Sequence, residues 1–589
     1  SSSTKEQTNL NATFNANKSF ENFELHGFLR GEYFNSFQQQ MSMGTNGGLI
    51  AHNQYFITNS VNTPSYSGTI SGKKRMFSVA AQVGASWKDQ LFVDVTGRND
   101  WSSALVYADG HGKYSYFYPS VSGSWIITNS FRNQLPKWIS FAKLRASWAQ
   151  VGNDTDPYII NTAYILNSGL INGNRVGATE LSETIYDKNL KPERKNSWEV
   201  GLDWRFLDNR IGIDATYYKE NTKDQIMKIS VPSVSGVKNQ YVNAGNIQNA
   251  GVEIALHAVP VQTKDWNWDV NLTYTKNKSK IISLHENVAD YIPLSGDVAY
   301  GNFRIGSVAK VGGEYGLLLS DSETKVDKVS GMKVLDFDTD TKSSHWYRSG
   351  EVKEVGSINP DFLTSFSTSL RYKSLQLSVS LDARFGGYVA SYGGRYGTGK
   401  GLTKSSLDYR DAAHGGANYT SRWDGKTYND GVIPTGIFMA GTKIDQPDGS
   451  YYTVGTGAYS SGETFEELMK KGVIEPAHAS SWAFINNTWI NAASYPTQGV
   501  VTDATLHKLN YIALREISLS YTAPQSWASK IGARNLMFTA TGHNLGYLLN
   551  SLPNKENPES VRGTSAHEFR IRNFDGVTAN FTFTINATF

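Results

Sequence analysis

Three short stretches carry residue types that could do chemistry. Gly394-Arg395-Tyr396-Gly397-Thr398-Gly399-Lys400 has the G-x-x-x-x-G-K spacing of a phosphate-binding loop. Such a loop needs Ser or Thr next, to hold magnesium, and here Gly401 follows. No apolar strand pattern leads into it and no helical pattern leaves it, so an ordinary loop is expected. Asp336-Phe337-Asp338-Thr339-Asp340 spaces three carboxylates like the start of a calcium loop. Thr341 stands where an EF-hand needs Gly, and Tyr347 where it needs Glu, so an EF-hand is excluded. A solvated acidic turn is the plainer reading there and at Asp154 and Asp156, and the sequence names no metal. There is no HExxH, no Cys and no serine elbow, and the eleven His are scattered. No catalytic constellation and no cofactor site emerge, so an enzyme is not expected.

What remains is aromatic. Segment 99–115 holds Trp101, Tyr107 and Tyr114; segment 387–505 holds Tyr388, Tyr392, Tyr396, Tyr409, Arg410 and Trp423. Aromatic faces stack on the apolar face of a sugar ring, while nearby Asn and Arg hydrogen-bond its hydroxyls; peptides suit them equally. The candidate substrate contacts are Trp101, Tyr114, Tyr388, Tyr392, Tyr396, Tyr409, Arg410 and Trp423. The alternative for each is loop packing or a docking surface.

The elements that must position these residues show in the period. Val577, Ala579, Phe581, Phe583, Ile585, Ala587 and Phe589 alternate strictly with Thr and Asn. That is longer than a usual soluble strand and long enough to cross a bilayer at a steep tilt. Fifteen segments repeat the signal: 8–19, 21–34, 73–88, 90–98, 116–127, 137–149, 195–207, 210–220, 250–260, 265–280, 362–373, 374–386, 506–523, 533–547 and 576–589. Their connections alternate between tight turns, such as Lys88-Asp89-Gln90, and long loops at 35–72, 99–115, 150–194, 221–249, 281–361, 387–505 and 548–575. This predicts an all-β, transmembrane antiparallel β-barrel with short periplasmic turns and long extracellular loops. The C-terminus then lies in the periplasm.

Composition agrees. Among 589 residues, 12% are aromatic and 19% charged, with Lys+Arg 56 against Asp+Glu 53. The near-neutral charge disfavours nucleic acid as a partner. No apolar run is long enough for a spanning helix. Fifteen is odd, and plugged outer-membrane barrels have about 22 strands. The first residues also carry no leader pattern. Residues 1–589 therefore read as the C-terminal part of a barrel of about 22 strands, of which roughly 15 are present.

Several stretches resemble the SusC-like TonB-dependent transporters of the Bacteroidetes outer membrane. They include Lys143-Leu144-Arg145-Ala146-Ser147-Trp148, Leu190-Lys191-Pro192-Glu193, Tyr217-Tyr218-Lys219-Glu220-Asn221 and Asn243-Ala244-Gly245-Asn246-Ile247. Gly356-Ser357-Ile358-Asn359-Pro360-Asp361-Phe362, Tyr511-Ile512-Ala513-Leu514-Arg515-Glu516 and Gly542-His543-Asn544-Leu545 extend the match, in the family's order. Phe569-Arg570-Ile571-Arg572-Asn573-Phe574 departs from the family's Pro-containing stretch. The plug domain, the TonB box and the first strands have no counterpart here. The resemblance implies active outer-membrane import of oligosaccharides or oligopeptides. It also implies a SusD-like surface lipoprotein as lid, the TonB complex acting through the missing N-terminal part, and contact with membrane lipid or lipopolysaccharide. It allows a dimer of the transporter–lid pair. Two rivals are a siderophore or vitamin receptor without a lid, and a barrel-anchored adhesion or structural protein.

Overall fold

The computed structural model describes residues 2–160, 164–171, 174–181, 183–230, 237, 239–286, 288, 290–296, 304–482, 502–561, 567–571 and 576–589. Two compact units are present: residues 2–257 with 277–290, and residues 258–276 with 291–589.

The first unit is built on long strands: β1 (Ser2–Ser19), β2 (Phe23–Leu49), β3 (Ser60–Trp87), β4 (Leu91–Ser102), β5 (Ser115–Ile126), β6 (Ile139–Asn153), β7 (Glu193–Phe206), β8 (Ile211–Ser230) and most of β9 (Asn239–Gln262). From β1 to β8 the pairings shown are antiparallel between sequence neighbours, as hairpin connections require. The second unit holds the start of β10 (Trp266–Ser283), then β11 (Phe362–Tyr372), β12 (Leu375–Phe385), β13 (Tyr511–Thr522), β14 (Asn535–Asn550) and β15 (Asn580–Thr588). These also pair antiparallel in sequence order. Each of the fifteen predicted segments is therefore a strand. The tight turns carry the backbone that strand twist demands: Lys88 and Asp89 sit at φ 49° and 52°.

The faces are inverted relative to a water-soluble sheet. On β3 and β4 the apolar parity is exposed, with Val83 at 66% and Val93 at 50%. The polar parity is shielded, with Ser78 at 1% and Asp100 at 4%. Val83, Val95 and Val121 lie opposite one another across β3, β4 and β5. A continuous apolar row facing outward is stable only against an apolar surrounding. Aromatic residues close the band at both ends. Trp87 pairs with Leu91 at the tight-turn end, and Leu10, Tyr33, Phe77 and Trp101 form one row at the long-loop end. Along β4 this band spans ~34 Å of strand, or ~26 Å of height at a tilt near 40°, the thickness of a barrel's apolar band.

The predicted long loops differ from the structure in two ways. Segment 35–72 is largely strand, because β2 runs on to Leu49 and β3 starts at Ser60. The loops of the second unit are folded. Short strands at Ile305–Lys310, Tyr315–Ser320, Val334–Asp338, Ser343–Trp346, Ile437–Met439 and Gly462–Thr464 build small sheets there. Leu335, Phe337, Trp346, Phe438, Ile444, Phe465 and Leu468 form an ordinary buried core among them. The helix Phe465–Lys470 starts on a capping box, Thr464 with Glu467. One chain thus holds two packing regimes. Residues 483–501 of segment 387–505, and parts of 150–194, 221–249, 281–361 and 548–575, lie outside the described residues.

Candidate functional site

The polar face of the first unit is a paired charge network. Arg98 on β4 donates to Asp100 Oδ1 at 2.8 Å, Tyr118 OH at 3.0 Å, Ser78 Oγ at 2.8 Å and Glu32 Oε2 at 3.3 Å. Tyr118 in turn donates to Asp100. Nearer the long-loop end, Asp154 accepts from Lys74 at 2.5 Å and from Ser102. Towards the tight turns, Asp94 takes His26 at 3.0 Å and Gln82 at 2.8 Å. Arg145 grips Asp214 with both terminal nitrogens, at 2.9 and 2.6 Å. Small residues make the room: a Cβ on Gly201 would come within 2.6 Å of Arg145 Nε. This network is only partly legible in the sequence: Asp154 stands out by spacing and Asp214 as a carboxylate on the polar face of a strand, whereas the cross-strand pairing of Arg98 with Asp100 and Glu32 depends on register.

A cavity of about 560 Å³ opens at the long-loop end. The β5–β6 ladder starts at Ser120–Ala149, whereas the β4–β5 ladder continues to Trp101–Ser115. Pro119, which has no N–H to donate, marks the parting. Tyr116 fills part of the gap, and a Cβ on Gly152 would strike its ring at 2.7 Å. Trp101, Lys113, Tyr114, Phe117, Lys191 and Arg194 also line the cavity. Two candidate residues, Trp101 and Tyr114, therefore meet here. Trp101 belongs to the apolar parity, 5.6 Å from the Phe77 ring centroid. Lys191 and Arg194 share Asp224, each at 2.9 Å. Loop 103–114 is tied down because Tyr107 OH donates to the Asp187 carbonyl and stacks on His111 at 4.2 Å. The hydrogen bond from His111 holds the Asp109 carboxyl below its usual range.

In the second unit the other candidates separate into two groups. Tyr409 packs on Trp346 at 5.8 Å and Trp482 at 6.1 Å, and Trp423 lies against the same core under the Lys342 ammonium at 4.9 Å. Arg410 follows Tyr409, its Nε buried without a hydrogen bond among the described residues. Tyr388 begins the strand Tyr388–Ser391, and Tyr392 and Tyr396 stack one turn apart at 6.1 Å on the helix Tyr392–Gly399. Tyr388 lines a cavity of about 660 Å³ with Glu323, Lys328, Lys333, Lys353 and Val355.

The G-x-x-x-x-G-K stretch is helix rather than the expected loop. Ser391 caps it through Gly394 N, and the helix itself takes up backbone groups that a phosphate would need. Asp336 and Asp338 share one parity of the strand Val334–Asp338, and Asp338 closes a turn onto Asp340 N and Thr341 Oγ1. Among the described residues no cluster of three His or carboxylate groups could hold a metal.

Residues 1–336 match the TonB dependent receptor-like, beta-barrel family. The chain belongs to that family. This TonB-dependent receptor barrel is 28% identical over 346 residues to TonB-dependent receptor P26 of Formosa agariphila, covering 56% of this chain and 33% of that protein. It is 27% identical over 287 residues to TonB-dependent receptor SusC of Bacteroides thetaiotaomicron, covering 46% and 28%. Its fold matches a solved structure of the RagAB peptide importer in the 'closed-closed' state, with a TM-score of 0.67 and 16% identity over 100% of this chain and 56% of the other. The matched region spans about a third of the curated relatives' length. The inverted faces and the barrel family agree: this is an outer-membrane β-barrel chain.

Proposed function

We propose that this barrel chain forms part of an importer of oligosaccharides or oligopeptides, working with a SusD-like lipoprotein at its outer mouth. The observation that carries the reading is the shielded polar wall around Arg98, in a chain whose apolar faces point outward. Such a wall guides polar cargo by hydrogen bonds without a large net field, because its charges are mutually paired. In this reading the long loops are extracellular and the C-terminus periplasmic. The segment that meets the TonB complex is supplied outside these residues. The candidate aromatic residues other than Trp101, which shares the outward row of Tyr33 and Phe77, contact cargo or lid, and no bond is made or broken. A receptor for an iron chelate is the rival within the family.

The test is uptake. Deleting the protein should abolish growth on one class of glycan or peptide, and a lipoprotein should copurify from detergent-solubilised outer membrane. Unchanged growth on every such nutrient, with loss of growth only under iron limitation, would overturn the reading.

A further inference from the structure

We infer that the apolar face of β3 and β4, at the long-loop end, carries a seat for the phosphate of a membrane lipid headgroup, formed by Lys73, Arg75 and Lys113. The inference rests on register. Leu10, Tyr33, Phe77 and Trp101 make one outward aromatic and aliphatic row across β1 to β4. The next outward row is Thr8, Asn35 and Arg75, and the one after it Glu6, Phe37 and Lys73. Arg75 and Lys73 are therefore two and four residues beyond Phe77 on the same face, and both are exposed. Each pair of residues advances ~7 Å along a strand. With the barrel tilt, the two cations stand ~5 and ~10 Å above the aromatic row, which is the depth of the headgroup layer.

The third cation comes from the loop. Ser102 N donates to the Tyr114 carbonyl, and Arg75 N donates to Ser103 Oγ at 2.9 Å, so Lys113 and Arg75 flank the same end of β4. Lys113 lines the cavity together with Trp101. None of Lys73, Arg75 and Lys113 has a carboxylate partner among the described residues. The acid on these rows, Glu6, is two strands from Lys73, ~10 Å away. At the tight-turn end three cations come with an acid in the same turn, Lys88 with Asp89, Arg210 with Asp208 and Lys264 with Asp265, whereas Lys373, Lys530 and Arg534 do not. Exposed, unpaired cations above an aromatic girdle suit an anionic headgroup whose acyl chains run down the apolar band.

The experiment uses the protein purified from native outer membrane in mild detergent, with retained lipid read by native mass spectrometry. Diphosphoryl lipid A, its phosphate-free counterpart and inorganic phosphate are the probes. Wild type should retain diphosphoryl lipid A at least about tenfold better than a Lys73→Gln, Arg75→Gln, Lys113→Gln variant, and Lys88→Gln should match wild type. Unchanged heat-modifiable mobility on gels shows that the variants fold. Equal retention by wild type and triple variant overturns the inference, as does equal retention of the phosphate-free lipid. Displacement of the lipid by millimolar inorganic phosphate also overturns it, since that marks a bare anion site.

Discussion

Replacing Val95 by Arg tests the face assignment where its energy is largest. Val95 lies on the apolar parity of β4, 49% exposed, between Val83 and Val121. The apolar band on β4 runs from Leu91 to Trp101, so Val95 stands ~10 Å above its lower rim and within a few ångströms of the midplane. An arginine on the lipid face at that depth costs ~2–4 kcal/mol. That is roughly a 30- to 700-fold loss in the folding equilibrium, at about 1.4 kcal/mol per tenfold. Thr96, one residue on, faces the polar wall beside Gln82 and Ser120. Arginine there meets water and carboxylates and should cost under about 1 kcal/mol. The assay is reversible folding into lipid vesicles against denaturant, followed by tryptophan emission. Equal losses for Val95→Arg and Thr96→Arg, or a larger loss for Thr96→Arg, would refute the face assignment.

Other expectations follow from the same geometry. Arg98→Met strands Asp100, Glu32 and Tyr118 on the polar wall, and should cost about 1–3 kcal/mol in the same folding assay. Leu468→Ala empties a fully buried position in the loop core, and should destabilise that core by ~2–5 kcal/mol, read as faster proteolysis of the loops while heat-modifiable mobility persists. His345 is buried, which pushes its imidazole down to about 4 from 6.5 despite Asp336 and Asp338. The unfolded state then binds more protons between those values, so loop stability should fall as pH drops from 6.5 towards 4. His345→Phe should flatten that pH dependence of proteolysis, and an unchanged profile would count against the burial argument.

The strands were legible because a barrel leaves a period-2 signal wherever one face meets lipid and the other water. The run from Val577 to Phe589 shows it, as does Phe77 to Trp87 against Ser78, Gln82 and Ser86. The loop sheets were not legible. Ser343-Ser344-His345-Trp346 is buried on both faces and only four residues long, so it carries no alternation. Its place is set by partners distant in sequence, such as Val334–Asp338 and, beyond it, Ile437–Met439. The site was half legible. Tyr114 and Trp101 were found by type, but the gap that brings them together depends on Pro119 and on where one ladder stops. Trp101 also shows the limit of choosing by type. An aromatic at the end of a strand serves a membrane interface as readily as a ligand, and only parity with Phe77 and Tyr33 tells the two apart.

The central claim is that alternate residues of these strands meet lipid and water. The chain has no Cys, so single cysteines placed one at a time from Leu91 to Trp101 report only their own position. Spin labels at those sites, in lipid nanodiscs, should be relaxed by oxygen at 91, 93 and 95 and by a water-soluble nickel chelate at 94, 96 and 98. Nickel accessibility without that two-residue rhythm would contradict the account.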